Sequence, residues 1–108
     1  MIPNEINTMK QKKKFIFRAK LWIYPGDAAW HFVYVPKHES AEIQAVPRAV
    51  RRGFGAVRVQ VTLGSSVWKT SIFPDKKSQA YLLPIKASVR KSEQVYAGDE
   101  AKFTLELQ

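Results

Sequence analysis

The sequence repeats one structural phrase, and that repetition limits what the chain can fold into. Residues 32–63 run strand, proline, short helix, glycine, strand: Phe32 to Pro36, Ser40 to Val46, Gly53 and Gly55, then Val57 to Leu63. Residues 80–107 run the same way: Tyr81 to Ile85 with Pro84, Ser88 to Val95, Gly98-Asp99, then Ala101 to Leu107. Two such units predict two half-barrels related by a pseudo-two-fold axis. The expected class is mainly β: a six-stranded double-split β-barrel with two short capping α-helices.

Individual elements follow from side-chain periodicity. From Lys14 to Tyr24, Phe15, Phe17, Ala19, Leu21 and Ile23 fall on one face of a strand. Pro25-Gly26-Asp27 is a turn signal, and Trp30 to Val35 returns as the second strand of a hairpin. Pro36 ends that strand and opens a helix, with Ser40 as the expected N-cap and Ala41 to Val46 as the helix. Ile43 and Val46 form its buried face, and Pro47 stops it. Arg48 to Phe54 is a basic connection.

Val57, Val59, Val61 and Leu63 alternate with Arg58, Gln60 and Thr62, the clearest strand pattern in the chain. Gly64-Ser65 is a two-residue hairpin loop leading into Val67 to Phe73. Residues 74–78 read as a solvated loop. Ala80 to Pro84, a helix over Ser88 to Val95, and a strand over Glu100 to Leu107 complete the chain. In the last strand Ala101, Phe103, Leu105 and Leu107 face inward.

At 108 residues the chain is one domain by length, with residues 1–12 read as a disordered basic tail and 13–108 as a single β-barrel domain. The absence of cysteine excludes a disulfide scaffold, thiolate catalysis and any zinc site built on Cys. No apolar run approaches the roughly 20 residues of a membrane helix. The lysines at 10 and 12–14 lead straight into a strand rather than into an apolar signal stretch. A cytoplasmic location is expected. Net charge is +9, from 18 Lys+Arg against 9 Asp+Glu. Most of it belongs to the body, because residues 1–13 contribute only Lys10, Lys12 and Lys13 against Glu5. Such a body attracts nucleic acid, anionic lipid or acidic ligands through its long-range field.

Four segments carry a resemblance to a family. They are Trp30-His31-Phe32-Val33, Arg51-Arg52-Gly53-Phe54-Gly55, Trp68 to Lys77, and Tyr81 to Lys91. In this order they resemble the bacterial domain of unknown function 1905 family, over about Phe15 to Leu107. The resemblance implies a double-split β-barrel with helical caps, the fold also used by swapped-hairpin transcription factors and antitoxins. Leu83-Pro84, Arg90 and Gly98-Asp99 look like their half-barrel motif. Those DNA binders assemble the barrel from two chains. Both halves lie in one chain here, which implies a monomer, with a dimer as the alternative. The resemblance carries no established activity.

Candidate site residues are therefore weighed on their chemistry. Arg48, Arg51 and Arg52 precede Gly53-Phe54-Gly55; guanidinium forks suit phosphate or carboxylate, and glycines let backbone N–H groups approach an anion. The alternative is a solvated loop. Trp68-Lys69 and Lys76-Lys77 offer a flat ring and positive charge, although a strand tryptophan is more often core, as Trp22 and Trp30 would also be. His31 and His38 lack ligand-spaced partners, so no metal site and no cofactor are expected. No acid pair of the hydrolase kind and no P-loop are present.

The preferred expectation is a non-catalytic binding module for a small anionic ligand or an acidic partner surface, using Arg51, Arg52, Trp68, Lys69, Lys76, Lys77 and Arg90. A nucleic-acid binder is the alternative, by analogy of fold. An enzyme using His31 with a nearby arginine ranks last.

Overall fold

A computed structural model describes residues 13–26, 29–46, 51–52 and 55–108, without the side chains of Arg51 and Arg52. The expected basic tail (1–12), Arg48 and the Gly53-Phe54 pair lie outside the described residues. Among the described residues the fold is mainly β with two short helices.

The clearest alternation forms the middle of the sheet. Strand β5 (Ala56–Leu63) buries Val57, Val59, Val61 and Leu63, and β8 (Glu100–Leu107) buries Phe103, Leu105 and Leu107. The two pair antiparallel with Val61 opposite Leu105. Strand β6 (Ser66–Asp75) returns from β5 through Gly64-Ser65, with Leu63 opposite Ser66. Gly64 has φ +59°, which L side chains resist, and a Cβ there would also collide with the Glu93 carboxylate. That carboxylate accepts hydrogen bonds from the hydroxyls of Ser65 and Ser66, which ties the hairpin tip to the helix carrying Glu93.

Two stretches of chain change partners midway. Strand β1 (Lys14–Lys20) pairs with β8, whereas β2 (Trp22–Ile23) pairs with β3 (His31–Tyr34). Only Leu21 separates β1 from β2. It is buried, donates its N–H to Asp99 O at 2.9 Å and accepts from Gly98 N at 2.7 Å. Strand β6 divides in the same manner: residues up to Ile72 pair with β5, and Phe73 to Asp75 pair with β7 (Ala80–Pro84). The sheet order is β1-β8-β5-β6-β7-β3-β2, with β4 (Arg51–Arg52) paired to β5. Among the described residues the six strands expected are thus eight segments, because the first run breaks at Leu21 and β4 is added. Phe15, Phe17 and Leu21 point inward as expected, but Ile23 is 48% exposed. It lies on β2, the last strand in the sheet order among the described residues.

Strands β3 and β7 pair with Val33 opposite Leu83. Reciprocal bonds follow their ends: Val35 N–H donates to Tyr81 O, and Ile85 N–H to His31 O, both at 2.9 Å. Each strand then leads at once into a helix, α1 (Lys37–Gln44) after β3 or α2 (Ala87–Glu93) after β7. Both helices begin earlier than expected. Their N-cap positions are Pro36 and Lys86, neither with a side-chain cap. Pro36, at φ −55°, turns the chain directly out of the strand. Pro36 and Pro84 are not equivalent, since Pro84 lies within β7.

Ser40 is not the N-cap expected but a buried pin inside α1. Its hydroxyl donates to Val35 O at 2.9 Å and accepts from Tyr81 N at 3.1 Å. Helix α2 closes on Gln94 in the left-handed conformation, φ +53°. Ile43 and Val89 seat the helices on the core, with Val46 and Val95 packed beside it.

Ser40→Ala removes both buried bonds and should cost about 1–3 kcal/mol. Ser88→Ala, exposed on α2, should cost less than about 0.5 kcal/mol. Urea unfolding midpoints of the two variants check the contrast.

Candidate functional site

The exit of β7 into α2 forms one wall of a cleft. Helix α2 packs against β6, and Trp30, His31, Trp68, Lys69, Lys86 and Arg90 are among the residues lining a cavity of about 370 Å³ between them. This is within the range of roughly 300–1,000 Å³ usual for small-molecule sites. Alternation along β6 turns Trp68 inward, where it is 7% exposed, and leaves Lys69 in solvent. Lys86 and Arg90 are four residues apart at the start of α2, so both reach the same side.

Arg90 is held from two sides. Its Nε donates to Ile85 O at 3.0 Å, and its Nη1 lies 3.3 Å from His31 Nε2. His31 Nδ1 lies 2.8 Å from Ala29 O, a pure acceptor. These partners assign the His31 proton to Nδ1 and leave Nε2 to accept from Arg90. The two contacts use two of the five guanidinium N–H groups. Among the described residues Arg90, Lys69 and Lys86 form no ion pair; the pairs present join Arg18 to Glu100 and His38 to Glu39 and Glu42. No carboxylate contacts His31, and no cluster of three His, Asp or Glu suited to a metal occurs among the described residues.

The α1 exit is built on the same plan with different chemistry. Ser40 donates to Val35 O as Arg90 donates to Ile85 O, and Ser40 meets the backbone of Tyr81 as Arg90 meets the ring of His31. The cavity there, about 740 Å³, is lined by Lys37, Gln44, Lys76 and Tyr81 among others. Two of its polar side chains engage each other: Tyr81 Oη donates to Gln44 Oε1 at 2.8 Å.

Of the residues singled out from sequence, Trp68, Lys69 and Arg90 share the cleft. Lys76 lines the cavity by α1 instead, and Lys77 is exposed on the same turn. Lys69 lies on β6 and Lys76 in the turn just past its end at Asp75, and the intervening strand at about 3.3 Å per residue separates them by roughly 20 Å. Arg51 and Arg52 form β4 opposite Val57 and Ala56, and their side chains lie outside the described residues. Sequence reasoning missed Lys86 and Trp30. The spacing of Lys86 to Arg90 was the available signal for the first. Trp30 was expected in the core with Trp68, yet it is 57% exposed, because it shares the outer face of the sheet with Phe32. Trp22 is half-buried and stacks on Tyr34 at 5.2 Å.

No helix of the described residues is long and apolar enough to cross a membrane. A family model described as Domain of unknown function (DUF1905) matches residues 17–105. The chain belongs to that family. No match is found among curated proteins.

The two cleft indoles should separate sharply in stability measurements. Trp68→Ala should cost about 3–5 kcal/mol by leaving a core cavity. Trp30→Ala should cost less than about 1 kcal/mol, the scale of a surface contact. Thermal and urea unfolding of each variant check this.

Proposed function

We propose that the protein is a non-catalytic binding module for a small anionic ligand, held in the cleft between β6 and α2. One observation carries this reading: Lys69, Lys86 and Arg90 converge on a single cavity with no described carboxylate to neutralise them. Arg90 supplies a fork already oriented by Ile85 O and His31. Such a fork pairs bidentately with phosphate or carboxylate at little entropic cost. Lys69 and Lys86 add point charges. Trp68 and Trp30 supply apolar walls that lower the local dielectric and strengthen each charged contact.

The geometry favours binding over catalysis. A general base needs a free lone pair and an orienting partner. On His31, Ala29 O takes the Nδ1 proton and Arg90 occupies Nε2.

The same reading takes the fold as a six-stranded double-split barrel closed within one monomeric chain. What supports it is the partner change at Leu21 and the matching division of β6. The run β1–β2 then counts as one bent strand that joins both ends of the sheet. A compact cavity favours a small anion over an acidic protein surface or a nucleic-acid duplex, which would need an extended track of contacts.

Isothermal titration of the full chain with inorganic pyrophosphate at low salt tests the site. Binding should weaken tenfold or more in Lys69→Ala and in Arg90→Ala, the loss expected of a charged hydrogen bond. Lys77→Ala should bind as the unaltered protein does. No binding, or equal weakening in all three variants, overturns the reading. Duplex DNA bound with an affinity falling about 0.9 log units per log unit of salt for each contact would replace it with nucleic-acid binding.

A further inference from the structure

The outer face of the sheet beside the cleft is aromatic where a solvent-facing strand is ordinarily polar. Register lines the side chains up in two rows. Trp22, Phe32 and Pro84 are opposite one another across β2, β3 and β7, and Tyr34, Leu82 and Phe73 across β3, β7 and β6. Trp30 stacks on Phe32 with ring centroids 6.1 Å apart and planes 12° from parallel. Tyr24 meets Phe32 edge-on at 83°. Tyr24, Trp30 and Phe73 nevertheless stay 52%, 57% and 44% exposed. Together with Phe32, Leu82 and Pro84 they line a groove of about 440 Å³. Contiguous exposed apolar surface of this kind marks a binding surface rather than a core.

Groove and cleft are continuous. Trp30 and Pro84 line both. The wall that ends the aromatic surface is therefore the wall that begins the basic one. We propose that the groove takes the planar ring of a nucleotide-type ligand whose phosphate lies in the cleft among Lys69, Lys86 and Arg90. This rests on the anion-binding reading of the cleft and adds the other end of the ligand.

Three features select a ring over other apolar groups. The lining is nearly all aromatic or proline, with Leu82 the sole aliphatic residue among those lining the groove. Flat π faces reward another flat π face beyond the area they bury. The charged groups at the groove's edge are cations, which suit a phosphate but not the hydroxyl array of a neutral sugar. A second copy of this chain would bring its own positive charge against the same cations.

The test compares AMP with ribose 5-phosphate, which differ by the purine alone, by isothermal titration of the full chain. AMP should bind about tenfold more tightly, as one base stacked on an aromatic platform requires. Phe73→Ala and, separately, Trp30→Ala should each reduce that preference to within about twofold. Equal affinity for the two ligands, with both weakened by Lys69→Ala, overturns the ring site and leaves the cleft reading standing. Failure of both ligands to bind removes the two readings together. A preference that survives in both aromatic variants places the ring elsewhere and overturns the proposal. So does a concentration-dependent dimer in sedimentation that Phe73→Ala abolishes, since the groove would then belong to a second copy.

Discussion

Two hydrogen bonds just past the ends of the β3–β7 pair constrain the rest of the molecule. Val35 donates to Tyr81 and Ile85 to His31, so the backbone leaves the sheet after each strand at its last bonded residue. At both exits the backbone turns from strand to helix within two residues. The carbonyl at such an exit, Val35 O or Ile85 O, belongs to a buried residue beyond the strand ladder. A buried carbonyl without a donor costs about 1–3 kcal/mol. Each exit therefore needs a donor from the first turns of its helix, and in both cases it is the side chain five residues on.

The two exits meet this common requirement with different residues, and that difference puts a charged donor group in the cleft beside α2. Ser40 is short enough to be buried whole, and its one hydroxyl both donates and accepts within the protein. Arg90 gives one N–H to Ile85 O and one to His31, and keeps three. A guanidinium is not buried with donors unmet, because desolvating an unpaired charge costs far more than the carbonyl bond returns. Arg90 stays half-buried at an opening to solvent. Its fixed Nε and Nη1 then hold the remaining donors in a set direction, so an anion bound there would cost less conformational entropy.

How far this was legible in the sequence depended on how many competing interactions each residue had. Strands β5 and β8 were readable because Val57 to Leu63 and Phe103 to Leu107 alternate without interruption, and one buried face settles their register. The Gly64-Ser65 turn was readable because few residues accept its φ. Helix starts were misread because a serine hydroxyl serves equally well as a cap or as a buried pin. Only the tertiary position of Tyr81 decides which role Ser40 takes. Trp30 was misread by composition, since large aromatic residues usually close a core. Its alternation with His31 and Val33 places it outward. The convergence of Lys69 with Lys86 and Arg90 had no local signal, because it depends on α2 packing across β6.

Polarity changes abruptly at Trp30 and Pro84, and that step orders anything bound across it. On one side are Lys69, Lys86 and Arg90; on the other are Tyr24, Phe32, Phe73 and Leu82. A charged group moved into the aromatic groove would lose hydration with no described cation lining it, a cost of several kcal/mol. An apolar ring moved among the cations would in turn displace water that solvates them. Under the proposed reading, the orientation of an amphipathic ligand would therefore be set by desolvation before any individual hydrogen bond formed. The aromatic face has a cost to stability: on it Trp22 Nε1 is buried without a partner among the described residues. Four large rings on it, Tyr24, Trp30, Tyr34 and Phe73, also stay in water, which a polar strand face would have spared the fold.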